Sequence, residues 1–447
     1  MTSPLAAPLQ LPCGAVLPNR IAKSAMTEAL GDFDDDATPA LERLYRRWSA
    51  GGAGLLISGH VFVDRRFLEQ TGNVVLDDHS DEVALRAWAA AGTHGGNHLW
   101  AQLNHPGRQV TRFQSQQPVA PSAVRVPLRS FFARPRALSE REIRDLIAAF
   151  ARAAAIARHS GFTGVQVHAA HGYLISQFLS PRTNVRDDDW GGALANRARF
   201  LLEVVRAVRR AVGPEYPLAV KLNASDFQRG GFAHADAVEV ARMLAAEGID
   251  LLELSGGTYE RVAFHGESGH RAAAIGREAY FLEHARSIRE AVPALPLMVS
   301  GGWRSPALMA AALSRGELDV LGIARPFCLQ PEFPVRLLAG DSEPLPAPER
   351  RLRLGPGPLG PNSPSRNLRA FNSQVSIGWF YWQIERLGAG REPETAPGIG
   401  AHVLLRYVVR EAWRSWRRRR WRRSRQRASG SKRAVKCRSA GGSSTMR

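Results

Sequence analysis

FLLEVVRAVRRAVGPEYPLAVKLN, residues 200–223, contains one whole helix-to-strand step. Phe200, Leu201, Val204, Val205, Val208 and Val212 recur at helical spacing, which makes a single apolar stripe. The stripe halts at Gly213-Pro214, and Leu218–Asn223 then reads as a short buried strand. Outward from this unit, the same alternation runs from residue 20 to about 325. Its strand segments are Arg20–Met26, Gly54–Gly59, Asn97–Leu103, Gly164–His168, Leu218–Asn223, Leu251–Ser255, Leu297–Ser300 and Val320–Ile323. Helix starts agree with it. Ser139 followed by Glu142 is a capping box ahead of the stripe Ile143, Leu146, Ile147, Phe150, and Ser305-Pro306 is a cap with a first-turn proline before Ala307–Leu313. Strands alternating with helices predict a parallel sheet, and eight such units close it. The expected class is α/β, a TIM (β/α)8 barrel with an N-terminal hairpin over Leu9–Pro18, a C-terminal helical extension and a basic tail.

The barrel is expected over residues 1–340. Residues 341–372, rich in Pro, Gly and Arg, read as linker. Residues 373–412 read as a helical extension with aromatics at Trp379, Phe380, Tyr381 and Trp382, and 413–447 as a basic, disordered tail. The formal charge of +19 belongs mostly to that tail, which holds 14 Lys/Arg and no acid; the remainder carries 46 basic against 41 acidic residues. Cys13, Cys328 and Cys437 are too scattered for a disulfide framework or a metal cluster, which suggests a reducing compartment. The N-terminus lacks signal-peptide character, and no apolar run reaches the roughly 18 residues of a membrane span. The protein is therefore expected to be soluble and cytoplasmic. In barrels the loops after the strands build the active site, so function is sought first in the long loops at roughly 104–138 and 169–195.

The second of these loops opens on His168-Ala169-Ala170-His171-Gly172-Tyr173-Leu174 and continues through Gln177-Phe178-Leu179-Ser180-Pro181, Asn184, Arg186, Trp190-Gly191-Gly192 and Asn196-Arg197. Elsewhere stand Leu17-Pro18-Asn19-Arg20-Ile21, Gln102-Leu103-Asn104-His105-Pro106-Gly107-Arg108, Ser255-Gly256-Gly257, Ser300-Gly301-Gly302 and Ala324-Arg325-Pro326. Over about residues 8–340 the chain resembles the Old Yellow Enzymes, or NADH:flavin oxidoreductases. The resemblance implies an FMN flavoprotein, an ene-reductase that draws hydride from NADH or NADPH and passes it to the activated double bond of a small unsaturated carbonyl substrate.

Reduction of an enone needs hydrogen-bond donors on the carbonyl oxygen and a proton for the alpha carbon. His168 and His171 can supply two N–H groups to one oxygen, and Tyr173 is the natural proton source. Taken alone, two histidines three apart equally suit zinc or a core, but no third ligand lies nearby, so no metal is expected. For FMN, Gly301-Gly302 and Arg325 stand where barrels bind phosphate, Lys221 is a cation ending strand five, and Gln102 can hydrogen-bond the ring. The resemblance further places Ser24, Ala25, Met26 and Thr27, with Gly59, Ser300 and Ala324, against the cofactor. Many relatives have proline at Ala25, alanine at Gly59 and glycine at Ala324; these departures bear on the flavin's seat and leave the polar contacts available.

Multi-domain relatives carry four cysteines for an iron–sulfur cluster after the barrel, whereas this chain has only Cys328 in that region. Hydride donor and acceptor are then expected to share one site in alternating half-reactions. Two other readings remain. The same barrel could serve as an NADH oxidase or a nitro- or amine-directed reductase. Trp413, Trp416 and Trp421 among arginines could grip nucleic acid, as in an RNA-directed flavoenzyme resembling dihydrouridine synthases, or an anionic membrane. Dihydrouridine synthases use a loop cysteine, and none lies between Cys13 and Cys328. A homo-oligomer is compatible with everything above.

Overall fold

In the computed structural model, residues 3–112, 114–127, 132–257, 278–352, 354–355, 357–360, 363–394, 409 and 412–421 are described. A hairpin of β1 (Leu9–Gln10) and β2 (Val16–Leu17) leads into β3 (Ile21–Lys23), β4 (Leu55–Phe62), the short β5 (Val74–Val75) and β6 (His98–Asn104). Two-residue strands β7 (Val119–Ala120) and β8 (Arg136–Ala137) pair in the next loop, before β9 (Gly164–Ala169), β10 (Leu218–Asn223), β11 (Leu251–Ser255), β12 (Leu297–Ser300) and β13 (Val320–Ile323). In space β3, β13, β12, β11, β10, β9, β6 and β4 follow one another in parallel, and β4 pairs back onto β3, so the sheet closes as an eight-stranded barrel. Each of the eight expected strand segments contributes one barrel strand.

Helices α1 (Pro39–Ala50), α2 (Glu82–Thr93), α3 (Glu140–His159), the short α4 (Leu174–Leu179), α5 (Leu194–Val212), α6 (His234–Ala246), α7 (Leu282–Ala291), α8 (Pro306–Ser314) and α9 (Phe333–Leu338) lie between or after the strands. The Ser139–Glu142 capping box forms as expected, satisfying end groups that the first turn of α3 leaves open. Ser305 is the N-cap of α8 but makes no side-chain cap bond; the carboxylate of Glu278 accepts its N–H instead. The hairpin does close the barrel bottom. Leu11 and Leu17 pack with Ile57, Trp100, Ala219 and Leu251 in one buried cluster.

Beyond the barrel the boundaries differ from those expected. Helix α10 (Arg366–Gly388) begins inside the residues read as linker, because Ser365 caps it by accepting from the Leu368 N–H. Its Val375, Trp379, Ile384 and Leu387 are buried. The first part of the basic tail is ordered, not disordered: 412–421 is helical and lies against the loops that follow β3 and β4. Arg418 forms a two-pronged ion pair with Asp35 at 2.8 and 2.7 Å, Arg414 donates to the Ala29 carbonyl, and Ser415 meets Thr71 at 3.1 Å. The Arg418 and Asp35 side chains are 9% and 0% exposed. A run of arginines reads as solvated when its acid stands 383 residues away in sequence. Trp421, the last described residue of this helix, donates to Asp34, and the rest of the expected tail, 422–447, lies outside the described residues.

Arg418→Ala should undock this helix. Amide exchange in 29–36 and 412–421 is expected to accelerate about tenfold or more, equivalent to ~1.4 kcal/mol of lost protection, with the barrel strands unchanged. Exchange equal to that of the unmutated protein would show that the ion pair does not hold the helix.

Candidate active site

His168 and His171 leave the end of β9 on the open rim of the barrel. The Ala170 N–H donates to His168 Nδ1 at 3.1 Å, which places the ring proton on Nε2. Burial holds His168 well below the ordinary imidazole value, and the neighbouring His171, His60 and Lys221 push the same way, so it stays neutral and a donor. His171 adopts a left-handed φ of 61°, fixed by its N–H donating to Asn223 Oδ1. His171 Nε2 lies 2.8 Å from Ser255 Oγ and Nδ1 3.3 Å from His168 Nε2. The His168 Nε2–H therefore points at His171 Nδ1, and a second N–H faces the same space once the Ser255 hydroxyl donates to His171 Nε2 and the His171 ring proton moves to Nδ1. Two N–H groups this close can converge on one oxygen.

Tyr173 joins them. Its ring centroid is 4.9 Å from that of His168 and 4.7 Å from that of His60, and its phenol donates to Glu69 Oε1 at 2.8 Å. His60 Nδ1 in turn lies 3.3 Å from Glu69 Oε2. Neither His60 nor Glu69 was a sequence candidate. The β4–β6 register shifts between Ile57 and His60, an irregularity of the kind that re-aims a side chain. A polar His60 interrupting the apolar run LLISGHVF was the available signal; Glu69 sits in irregular chain and offered none.

Below this rim a belt of polar side chains crosses the barrel interior. Gln102 Nε2 donates to Gln166 Oε1 at 2.7 Å, Gln166 Nε2 to Glu253 Oε2 at 2.7 Å, and Ser300 Oγ to Glu253 Oε1 at 2.5 Å. Ser24 and Ser300 share a 2.6 Å hydroxyl contact. Lys221 is paired with Glu253 at 2.8 Å, the two side chains 5% and 0% exposed, so its charge is balanced rather than solvated. Gln166 and Glu253 escaped the sequence reading because strand interiors hide which polar residue points inward. Gln102 Oε1 is buried with no partner among the described residues. Such an orphan is the kind of acceptor that the N–H of a flavin pyrimidine ring would satisfy.

At the end of β12, Gly301 (φ 126°) and Gly302 (φ 82°) hold backbone that a side chain would strain, with the Tyr280 ring close over both. The Arg304 and Ser305 N–H groups donate to Glu278 at 3.2 and 2.7 Å. Arg304 and Arg325 both reach Glu349 Oε1, at 2.5 and 3.1 Å. Two carboxylates thus stand in for an anion against two guanidinium groups and two backbone donors. The donor set fits a phosphomonoester, and with the Gln102 acceptor the residues present fit FMN. Arg304 is a further residue that sequence reading missed. Of the other candidates, Ser24 is buried while Ala25, Met26 and Thr27 are half-buried beyond β3, and Ala324 precedes the turn at Arg325–Cys328. The Gly59 N–H is taken by Glu28 Oε1 at 2.7 Å, and a Cβ there would come within 2.0 Å of Glu28 Oε2. Among the described residues no group of three or more His, Cys, Asp or Glu could hold a metal ion, and no helix is long and apolar enough to cross a membrane.

Residues 4–343 match the NADH:flavin oxidoreductase / NADH oxidase family. The NADH-dependent flavin oxidoreductase of Talaromyces variabilis is 36% identical over 352 residues, covering 74% of this chain and 85% of its own. The NADH oxidase of Thermoanaerobacter brockii is 33% identical over 331 residues, 73% of this chain, which spans only 49% of that longer protein. The Old Yellow Enzyme homologue of Zymomonas mobilis superposes with a TM-score of 0.65 at 27% identity over 79% of this chain and 97% of its own. An eight-stranded parallel barrel with this rim and this similarity along its whole length belongs to the NADH:flavin oxidoreductase, or Old Yellow Enzyme, family, and the chain is an FMN-dependent oxidoreductase served by NADH or NADPH.

Proposed function

We propose that the chain reduces the electron-poor carbon–carbon double bond of an enone-type carbonyl compound. The observation that carries this reading is the 3.3 Å juxtaposition of His168 Nε2 and His171 Nδ1, with the Tyr173 phenol beside them. FMN, when bound, supplies the hydride taken from NAD(P)H. Gln102, Lys221, Ser24 through Thr27, Gly59 and Ser300 would hold its ring, and Gly301, Gly302, Arg304, Ala324 and Arg325 its phosphate. The imidazole pair grips the substrate oxygen and spreads the negative charge that develops there as hydride reaches the beta carbon. Tyr173 delivers a proton to the alpha carbon. A buried, neutral His168 suits this work, because it donates a hydrogen bond over the physiological range without gaining charge.

Activity as an NADH oxidase is the second reading, favoured by the likeness to the Thermoanaerobacter enzyme. The docking of Arg414 and Arg418 onto the barrel weighs against the tail as a nucleic-acid grip. The purified protein should be yellow, should bleach anaerobically with NADH or NADPH, and should recover its colour on addition of cyclohexenone with cyclohexanone as product. Recovery with oxygen but with no activated alkene would favour the oxidase.

A further inference from the structure

We infer that Glu69, backed by His60, is the positioning residue that resupplies Tyr173 with the proton delivered to the alpha carbon; this rests on the ene-reductase reading. Tyr173 does not stand alone. Its O–H already donates to Glu69 Oε1 at 2.8 Å, and Tyr173 itself is 3% exposed. Were the phenol to lose its proton beside an ionised Glu69, two anions would share a nearly dry contact, and like charges at that distance strongly oppose each other. A proton must therefore arrive as one departs.

The geometry provides the path. As the phenolic O–H breaks and a C–H bond forms at the alpha carbon, the carboxylic proton of Glu69 crosses the 2.8 Å contact to the phenol oxygen. Glu69 then regains a proton from water at the edge of the cluster, where His60 Nδ1, facing the Asn104 amide nitrogen, flanks Glu69 Oε2 at 3.3 Å. The His60 and Glu69 side chains are 10% and 14% exposed, against 1% for His168, so they form the edge of the cluster that water reaches. Around the pair, His168 faces His60 at 5.1 Å and the Asn104 amide lies 3.2 Å from His60 Nδ1. The balance closes. One solvent proton enters the alpha carbon, one hydride from NAD(P)H enters the beta carbon, the nicotinamide is oxidised and the alkene is reduced.

The loop carrying Glu69 is itself pinned. Gln70 donates to the Tyr381 hydroxyl of α10 and Thr71 meets Ser415 of the terminal helix, so the C-terminal arm holds the carboxylate in place. The near-isosteric Glu69→Gln removes the proton without removing the contact. In FMN-loaded protein we expect flavin reduction by NADH at the unmutated rate, unchanged affinity for para-hydroxybenzaldehyde, and reoxidation by cyclohexenone slowed about 10²-fold. Reoxidation by a quinone, which takes its protons on oxygen, should be spared. Equal slowing of both half-reactions, or weakened binding of the phenol, would reduce Glu69 to a structural role and overturn the relay. Unmutated protein active on cyclohexenone with Glu69→Gln equally fast overturns the relay alone; unmutated protein inactive on every enone overturns the ene-reductase reading and the relay with it.

Discussion

His168→Ala should lower the rate of enone reduction by about 10²- to 10³-fold, the loss typical of removing one preorganised donor from a developing oxyanion. The case is specific to this residue. His168 is 1% exposed, its tautomer is set by the Ala170 amide, and its neutral state is enforced by burial. His171→Ala should cost less than that, because a more exposed site lets water replace the missing donor. The double substitution should fall short of the product of the two losses, since the pair acts on a single oxygen. Half-reactions separate the claim from a loss of cofactor: stopped-flow bleaching by NADH should persist while reoxidation by cyclohexenone collapses. A His168→Ala protein that reduces cyclohexenone within threefold of the unmutated rate would contradict the assignment.

Lys221→Met should destabilise the apoprotein by about 3 kcal/mol, near the lower end of the 3–5 kcal/mol typical of stripping one partner from a buried ion pair. The lower end applies because Glu253 keeps hydrogen bonds from Gln166 and Ser300 after the ammonium is gone. Adding Glu253→Gln should restore most of the loss by removing the stranded charge. Denaturant midpoints on cofactor-free protein are the right readout, since bound FMN would add its own stabilisation. A second effect follows from the same pairing. Because Glu253 balances the lysine, a flavin held against Lys221 as proposed would face a neutral pair, and Glu253→Gln alone should raise its reduction potential by exposing the uncompensated cation. An unaltered midpoint in Lys221→Met would mean that the pair contributes nothing to the barrel.

The barrel was legible because each step repeats in short range: a stripe such as Phe200–Val212, a stop at Gly213, a strand at Leu218–Asn223. Local chemistry decides such elements, and all eight emerged where expected. His168, His171 and Tyr173 were legible for the same reason, since one strand end places them together. What escaped depends on distance in sequence. Ser255, which meets His171 Nε2 at 2.8 Å, lies 84 residues away, and Glu69 meets Tyr173 across 104. Arg304 follows two expected phosphate glycines, yet its meaning comes from sharing Glu349 with Arg325, a contact that only closure of the barrel creates. The terminal helix is the sharpest case. Its composition matches a solvated tail, and a buried Asp35 overrules composition.

The most direct test is the structure of the FMN-loaded protein with para-hydroxybenzaldehyde bound. The phenolic oxygen should lie about 2.7–3.0 Å from both His168 Nε2 and His171 Nδ1, with its ring stacked on the flavin. A ring seated away from both imidazoles, in a protein that still reduces enones, would contradict the account at its centre.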